Sequence, residues 1–125
     1  MRRVYYKYSK EKDIVERAKS LTVQVVRVVG SLKPGSVKFS LGDQVIRSSG
    51  SIGANLVEAR INRSKKDFIS SATIALKEAN ETIYWLDVLG RLEIIDKGLL
   101  DSLLSESEQI AKIVAVMVRK VKNSL

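Results

Sequence analysis

The chain has 125 residues, 45% of them hydrophobic and 29% charged, with a single proline, no cysteine and no histidine. That length suits one domain with a core of its own, and the missing residue types exclude disulfides, thiolate nucleophiles, the usual zinc sites and histidine acid–base catalysis. The formal net charge of +8 suggests an acidic partner, nucleic acid first.

Met1-Arg2-Arg3 opens the chain with no apolar signal core behind it. The longest apolar runs, near Leu21–Val29 and Ile110–Val118, are broken by Arg27 and Lys112, well short of the ~20 residues that span a bilayer. The expected location is the cytoplasm, with no membrane partner. Residues 1–9 mix basic and aromatic side chains without helical periodicity and read as an arm. Tyr5, Tyr6 and Tyr8 could stack on bases or pin the arm to its own domain.

Ser9 is a plausible N-cap for the first helix. Ile14, Ala18, Leu21, Val25, Val28 and Leu32 follow at 4-3-4-3-4 spacing, with Val15, Thr22, Val26 and Val29 broadening that face. Gly30 and Pro34-Gly35 end it. Ser40 with Asp43 three residues on resembles a capping box, so the second helix is predicted from there to about Asn62. Ser64 and Asp67 repeat the pattern for a third helix with an alanine-rich seam of Phe68, Ala72, Ala75, Ala79, Ile83 and Leu86. Gly90 to Gly98 reads as a connection. A fourth helix then carries Leu103, Ser107, Ile110, Val114, Met117 and Val121 inward. The expected fold is all-α, an up-down-up-down antiparallel four-helix bundle.

The second helix has more than one special face. Leu41, Val45, Ile52, Leu56 and Ala59 make its core seam, while Gln44, Ser48, Ser51, Asn55, Glu58 and Asn62 form a polar stripe beside it. Gly42, Ile46, Ser49, Gly53 and Val57 occupy the other shoulder. Between Phe39 and Ala59 the only charges are Asp43, Arg47 and Glu58, fewer than an outer helix should show. With Gly42, Gly50 and Gly53 each costing ~1 kcal/mol against alanine, something is expected to pack close to this backbone, from the same bundle or from another subunit. Ile74, Trp85 and Leu89 give the third helix a second apolar shoulder as well. The expected subunit interface is therefore Gly42, Ile46, Gly53, Val57, Ile74 and Trp85.

The run Gln44-Val45-Ile46-Arg47 … Ser51-Ile52-Gly53-Ala54-Asn55-Leu56-Val57-Glu58 resembles the signature of a bacterial four-helix-bundle family encoded in intervening sequences of large-subunit ribosomal RNA genes. Close relatives of that family are accessory variability proteins of diversity-generating retroelements. Gln44, Arg47, Ser51, Asn55 and Glu58 match the pattern one by one, and Lys77-Glu78-Ala79-Asn80-Glu81-Thr82 … Tyr84-Trp85-Leu86 resembles a second recurring stretch. Where the family usually has glycine after the glutamate, Ala59 stands here. The resemblance implies a homo-oligomer, a ring of five, and a reverse transcriptase as a possible partner. The motif residues themselves read first as a hydrogen-bond network between helices, with Arg47 pairing Asp43 or Glu58, and second as a direct contact site.

Charge is unevenly spread: residues 1–66 carry +10 and residues 67–125 carry −2. An up-down-up-down path brings the chain start, the connection between helices two and three, and the chain end to one pole. The cations there are Arg2, Arg3, Lys7, Lys10, Lys12, Arg60, Arg63, Lys65, Lys66, Arg119, Lys120 and Lys122, the candidate nucleic-acid surface. Helix dipoles favour some of them at helix C-termini but not Lys7, Lys10, Lys12, Lys65 or Lys66 near helix starts. The opposite pole holds Glu93, Asp96 and Asp101. Asp43, Glu58, Glu78 and Glu81 are the only carboxylates on enclosed-looking faces, a di-iron bundle lacks its histidines, and Gly50-Ser51-Ile52-Gly53 lies mid-helix rather than in a phosphate loop. The expectation is a binding protein rather than an enzyme, with no cofactor or metal. The alternative is a protein–protein adaptor whose basic pole docks an acidic partner.

Overall fold

The computed structural model describes residues 11–61 and 64–124, the side chains of residues 11–13 excepted. Four α-helices follow one another: α1 (Glu11–Gly30), α2 (Gly42–Ile61), α3 (Lys65–Arg91) and α4 (Lys97–Lys122), with a π-helical turn at Val37–Leu41 leading into α2. The fold is the expected all-α four-helix bundle. α2 and α3 share the largest interface, α3/α4 and α1/α2 follow, and α1/α4 is the sparsest seam.

Particular contacts fix the antiparallel order. Gly42 lies against Val29 and Gly53 against Ala18, joining α1 to α2. The Ser48 and Thr82 hydroxyls meet at 2.9 Å between α2 and α3, and Gly90 abuts Leu100 between α3 and α4. The bundle closes where Arg17 of α1 grips Glu106 of α4 through two hydrogen bonds, 2.9 and 2.7 Å, and adds Gln109 at 2.9 Å. Two charge-assisted bonds in fork geometry suit the sparsest of the four seams.

Apart from Leu32, which lies past the end of α1 and is only half-buried, the seams read from the spacing are in or against the core. Ile14, Leu21, Ile52, Leu56, Phe68, Leu86, Leu103, Ile110 and Met117 are all essentially inaccessible, and their burial is the main favourable term in folding. The buried hydroxyls are satisfied: Ser49 donates to the Ile46 carbonyl, Thr82 to Glu78 and Ser107 to Leu103. Val26, expected on the inner face of α1, is exposed, and Leu89, expected on an outer shoulder, is buried in the chain's own core.

Two boundaries differ from expectation. Ser40 does not cap α2, because it lies inside the π turn, and helical conformation already begins at Ser36 behind Pro34-Gly35. The Gly42 amide closes that turn on the Val37 carbonyl, one residue wider than an α turn. The extra width keeps Val37, Leu41 and Val45, spaced 4-4, against the core. At the other junction Gly90 belongs to α3, which runs to Arg91, and Asp96 caps α4 by accepting from the Leu99 amide at 3.0 Å. The Ser64 cap is as expected, its hydroxyl accepting from the Asp67 amide at 3.0 Å. The Ser9 cap and the tyrosines of the arm lie outside the described residues.

The three glycines of α2 are not equivalent. A Cβ at Gly42 would stand 2.6 Å from Val29 Cγ1, whereas at Gly50 the nearest atom is Thr22 Cγ2 at 3.9 Å. Val29 is β-branched and has one strongly preferred rotamer in a helix, so it cannot swing away. Gly50→Ala is therefore expected to stabilise the fold by about 1 kcal/mol through helix propensity, while Gly42→Ala loses that gain to the clash. Urea melts of the two variants read the difference directly.

Candidate nucleic-acid interface

At the pole where α3 begins and α4 ends, the Lys65 ammonium donates to the Ser124 carbonyl. This one bond places both ends side by side, as the up-down-up-down path requires. It also gives Lys65 a structural occupation: it is half-buried and satisfies the frayed end of α4, so it is a poorer candidate for a phosphate than its neighbours. Lys66, Arg119, Lys120 and Lys122 are exposed, and none has an ion-pair partner among the described residues. Arg60, in the last turn of α2, is half-buried and likewise unpaired among them. Arg2, Arg3, Lys7, Lys10 and Arg63 lie outside the described residues, as does the side chain of Lys12.

The dipole of α4 favours Arg119, Lys120 and Lys122 in its last turn. Lys66 sits in the first turn of α3, where a positive charge is disfavoured. Its presence beside three other exposed cations is the feature that packing does not explain. Cations elsewhere are more often engaged: Arg91 pairs with Asp87 at 3.3 Å, Lys97 with Asp101 at 3.1 Å, and Lys38 donates to the Gly30 carbonyl at 3.2 Å while lying 5.7 Å over the Phe39 ring.

The motif residues occupy a second surface, along the outer edge of the α2/α3 contact. Gln44, Ser51 and Asn55 are half-buried, and Arg47 and Glu58 are exposed. The expected network between helices is mostly absent among the described residues. Of the described stripe residues only Ser48 hydrogen-bonds to α3, while Asn55 turns back to the Ser51 carbonyl and hydroxyl at 2.8 and 3.0 Å within its own helix. Arg47 approaches Asp43 at 4.0 Å with both side chains largely exposed, a weak contact by the standard of surface pairs. The reason is positional: these residues sit one step outside the seam, where side chains point past α3. Asn62 lies outside the described residues.

On α3, Glu78 feels the charge of Arg47, and Ile74, Glu81 and Trp85 share its side of that helix by their spacing. The Trp85 indole N–H donates to Glu81 at 3.4 Å, and its ring meets Tyr84 edge-on at 4.9 Å. Partial burial holds the Glu78 carboxyl above its ordinary pKa, helped by a hydrogen bond with Glu81 and by that neighbour's charge, against Lys77 and Arg47. Ionised Glu78 therefore opposes folding at neutral pH, and the opposition lifts as pH falls below its raised folded value. Glu106 is the reverse case. The hydrogen bond from Arg17 lowers its pKa, so its contribution is present above the ordinary carboxylate value and lost as pH falls through the depressed one.

The apolar candidates divide. Ile46, Val57 and Trp85 are half-buried and Ile74 is exposed, all on the outside of the bundle. Gly42 and Gly53 are not available to another subunit, because both are buried against α1 of the same chain. Ala59, in place of the glycine of the resembled pattern, is buried in a helix that continues to Ile61. Among the described residues no group of three or more aspartates and glutamates is placed to hold a metal ion, and no helix is long and apolar enough to cross a membrane.

The family model described as 23S rRNA-intervening sequence protein matches residues 10–116. Among solved structures, a protein of unknown function from the S23 ribosomal protein family of Bacteroides thetaiotaomicron is 35% identical and superimposes with a TM-score of 0.79. The alignment covers 91% of this chain and 99% of that one. No curated protein matches the chain.

Proposed function

The chain belongs to the 23S rRNA-intervening sequence protein family, and from that premise we propose that it is a non-enzymatic, nucleic-acid-binding protein acting as a homo-oligomer in the cytoplasm. The observation that carries the reading is the group of exposed cations without ion-pair partners among the described residues, Lys66 with Arg119, Lys120 and Lys122. Phosphates would neutralise them and release counterions, which is where sequence-independent affinity comes from. The family description makes RNA the first probe. Lateral assembly through Ile46, Val57, Ile74 and Trp85, into the ring of five that the motif resemblance implies, would repeat the basic pole around one rim and add avidity.

The same cations could instead dock an acidic protein, such as the reverse transcriptase of a retroelement. Filter binding with mixed-sequence RNA and duplex DNA, challenged by polyglutamate, separates the two. Retention of both nucleic acids, poorly competed by the acidic polypeptide, is the expected result. No retention at low salt, or competition by polyglutamate as effective per charge as by RNA, would remove the proposal in favour of an adaptor.

A further inference from the structure

We infer that the seam between α1 and α4 is a latch, which the Arg17–Glu106 clasp holds shut. Released there, α1 leaves the bundle as a unit while α2, α3 and α4 stay together. This goes beyond the nucleic-acid reading and does not depend on it.

The seam is where the bundle is least closed. α2 with α3 and α3 with α4 share the two largest interfaces, α1 meets α2 through a smaller one, and α1 meets α4 least of all. An open groove of ≈ 280 Å³ lies between α1 and α4, lined by Ser20 and Gln24 from one side and by Ser102 and Ser105 from the other. All four residues are exposed. Leu21 is the only apolar residue in the lining, so the two helices do not interlock there as a packed core does.

What joins them is polar. Arg17 donates to both carboxylate oxygens of Glu106 and to the Gln109 side-chain oxygen. The other ion pairs between described residues, Lys19–Glu16, Arg47–Asp43, Arg91–Asp87 and Lys97–Asp101, each stay within one helix. The Arg17 and Glu106 side chains are 35% and 30% exposed. Water can therefore take over both charges when the clasp parts, which a fully buried pair would not allow.

The rest of α1 is built to let go. It lies on α2 partly over small groups: a Cβ at Gly53 would meet Ala18 at 3.5 Å, and one at Gly50 would meet Thr22 at 3.9 Å. Small side chains bury little apolar area. Val23, Val25, Val26, Val28 and Val29 lower the helix propensity of its second half. Past its end, Pro34-Gly35 offers a hinge, with Gly35 at φ 152°, a backbone angle suited to glycine. Segments with few apolar contacts are the ones that open below the global unfolding free energy. The antiparallel path sets the start of α1 at the same end of the bundle as the end of α4. Release of α1 thus changes the make-up of the pole that carries Arg119, Lys120 and Lys122.

Native-state hydrogen exchange of the full-length protein, at rising urea below the melt, tests this. In the wild type the amides of Leu21 and Val25 are expected to exchange through an opening with a smaller urea dependence than those of Ala75 and Ala79 in α3, because it exposes less surface. Glu106→Gln should speed exchange in α1 by about tenfold, since the charge that strengthens the clasp is lost. Arg17→Glu should speed it too, and Arg17→Glu combined with Glu106→Arg should return it toward the wild-type rate. A single opening free energy and urea dependence shared by α1 and α3 would overturn the inference. So would exchange in α1 that ignores Glu106→Gln, or a double swap that exchanges no more slowly than Arg17→Glu alone.

Discussion

Reversing Lys66, Arg119 and Lys120 to glutamate is expected to weaken RNA and DNA binding by roughly a hundredfold or more at moderate salt, with the bundle intact. All three side chains are exposed and make no ion pair among the described residues, so the substitutions break no such contact in the fold. The triple variant carries a formal net charge of +2 instead of +8, two units less per substitution. Each lost phosphate contact should also flatten the log–log salt dependence by about 0.9 on duplex DNA and about 0.7 on single strands. Lys65 is left out deliberately: it holds the Ser124 carbonyl, and its loss would mix a folding effect into the binding result. Reversing Lys77 and Lys112, exposed in the middle stretches of α3 and α4, changes net charge without touching the pole. If that pair costs as much per charge as the triple, the pole is not the site.

Phe68→Ala should cost about 3–5 kcal/mol, the largest stability loss expected from one side chain. Phe68 is 1% exposed and heads the fully buried residues by size. It stands in the first turn of α3, directly after the Ser64 cap, so the cavity would open beneath the basic pole. Domains of this size are stable by only 5–15 kcal/mol. The variant should therefore melt far below the wild type in urea, while Ser64→Ala nearby costs about 1 kcal/mol. A loss under about 1 kcal/mol for Phe68→Ala would mean that the ring is not packed as the structure has it.

The helices were legible because their seams repeat with helical period, and a buried face leaves that trace in any amphipathic helix. Ser64 was legible for the same local reason: its bond to the Asp67 amide needs only neighbours in sequence. Ser40 and Asp43 offer the same letters, but the amides they would cap are already inside a turn that starts earlier, behind Pro34-Gly35. Local pattern places Leu41 inward but cannot see that a wider π turn brings Val37 in ahead of it. Gly90 looked like a stop and is a close approach to Leu100 instead, a distinction that depends on the neighbouring helix. The glycines of α2 announced close packing, which is right for Gly42, but not its source, which is α1 rather than another subunit.

That the start of α3 meets the end of α4 was legible through topology, since short connections between four helices decide which ends meet. What topology could not give was occupancy, and it is a single hydrogen bond that separates Lys65 from Lys66. Arg17 and Glu106 leave no mark in the sequence pattern, because each lies on a helix flank and only the closed bundle joins them. For the motif stripe, periodicity placed Gln44, Ser51, Asn55 and Glu58 beside the seam correctly. It could not tell a side chain that crosses to α3, as Ser48 does, from one that stops short, as Asn55 does.

The binding of mixed-sequence RNA by the wild-type protein, measured as a function of salt concentration, tests the central claim most directly. Tight retention at low salt, falling linearly on a log–log plot with a slope of several units and depending little on base sequence, is the result that phosphate contact at the pole predicts. Binding that ignores salt, or none at the lowest salt tested, would contradict it.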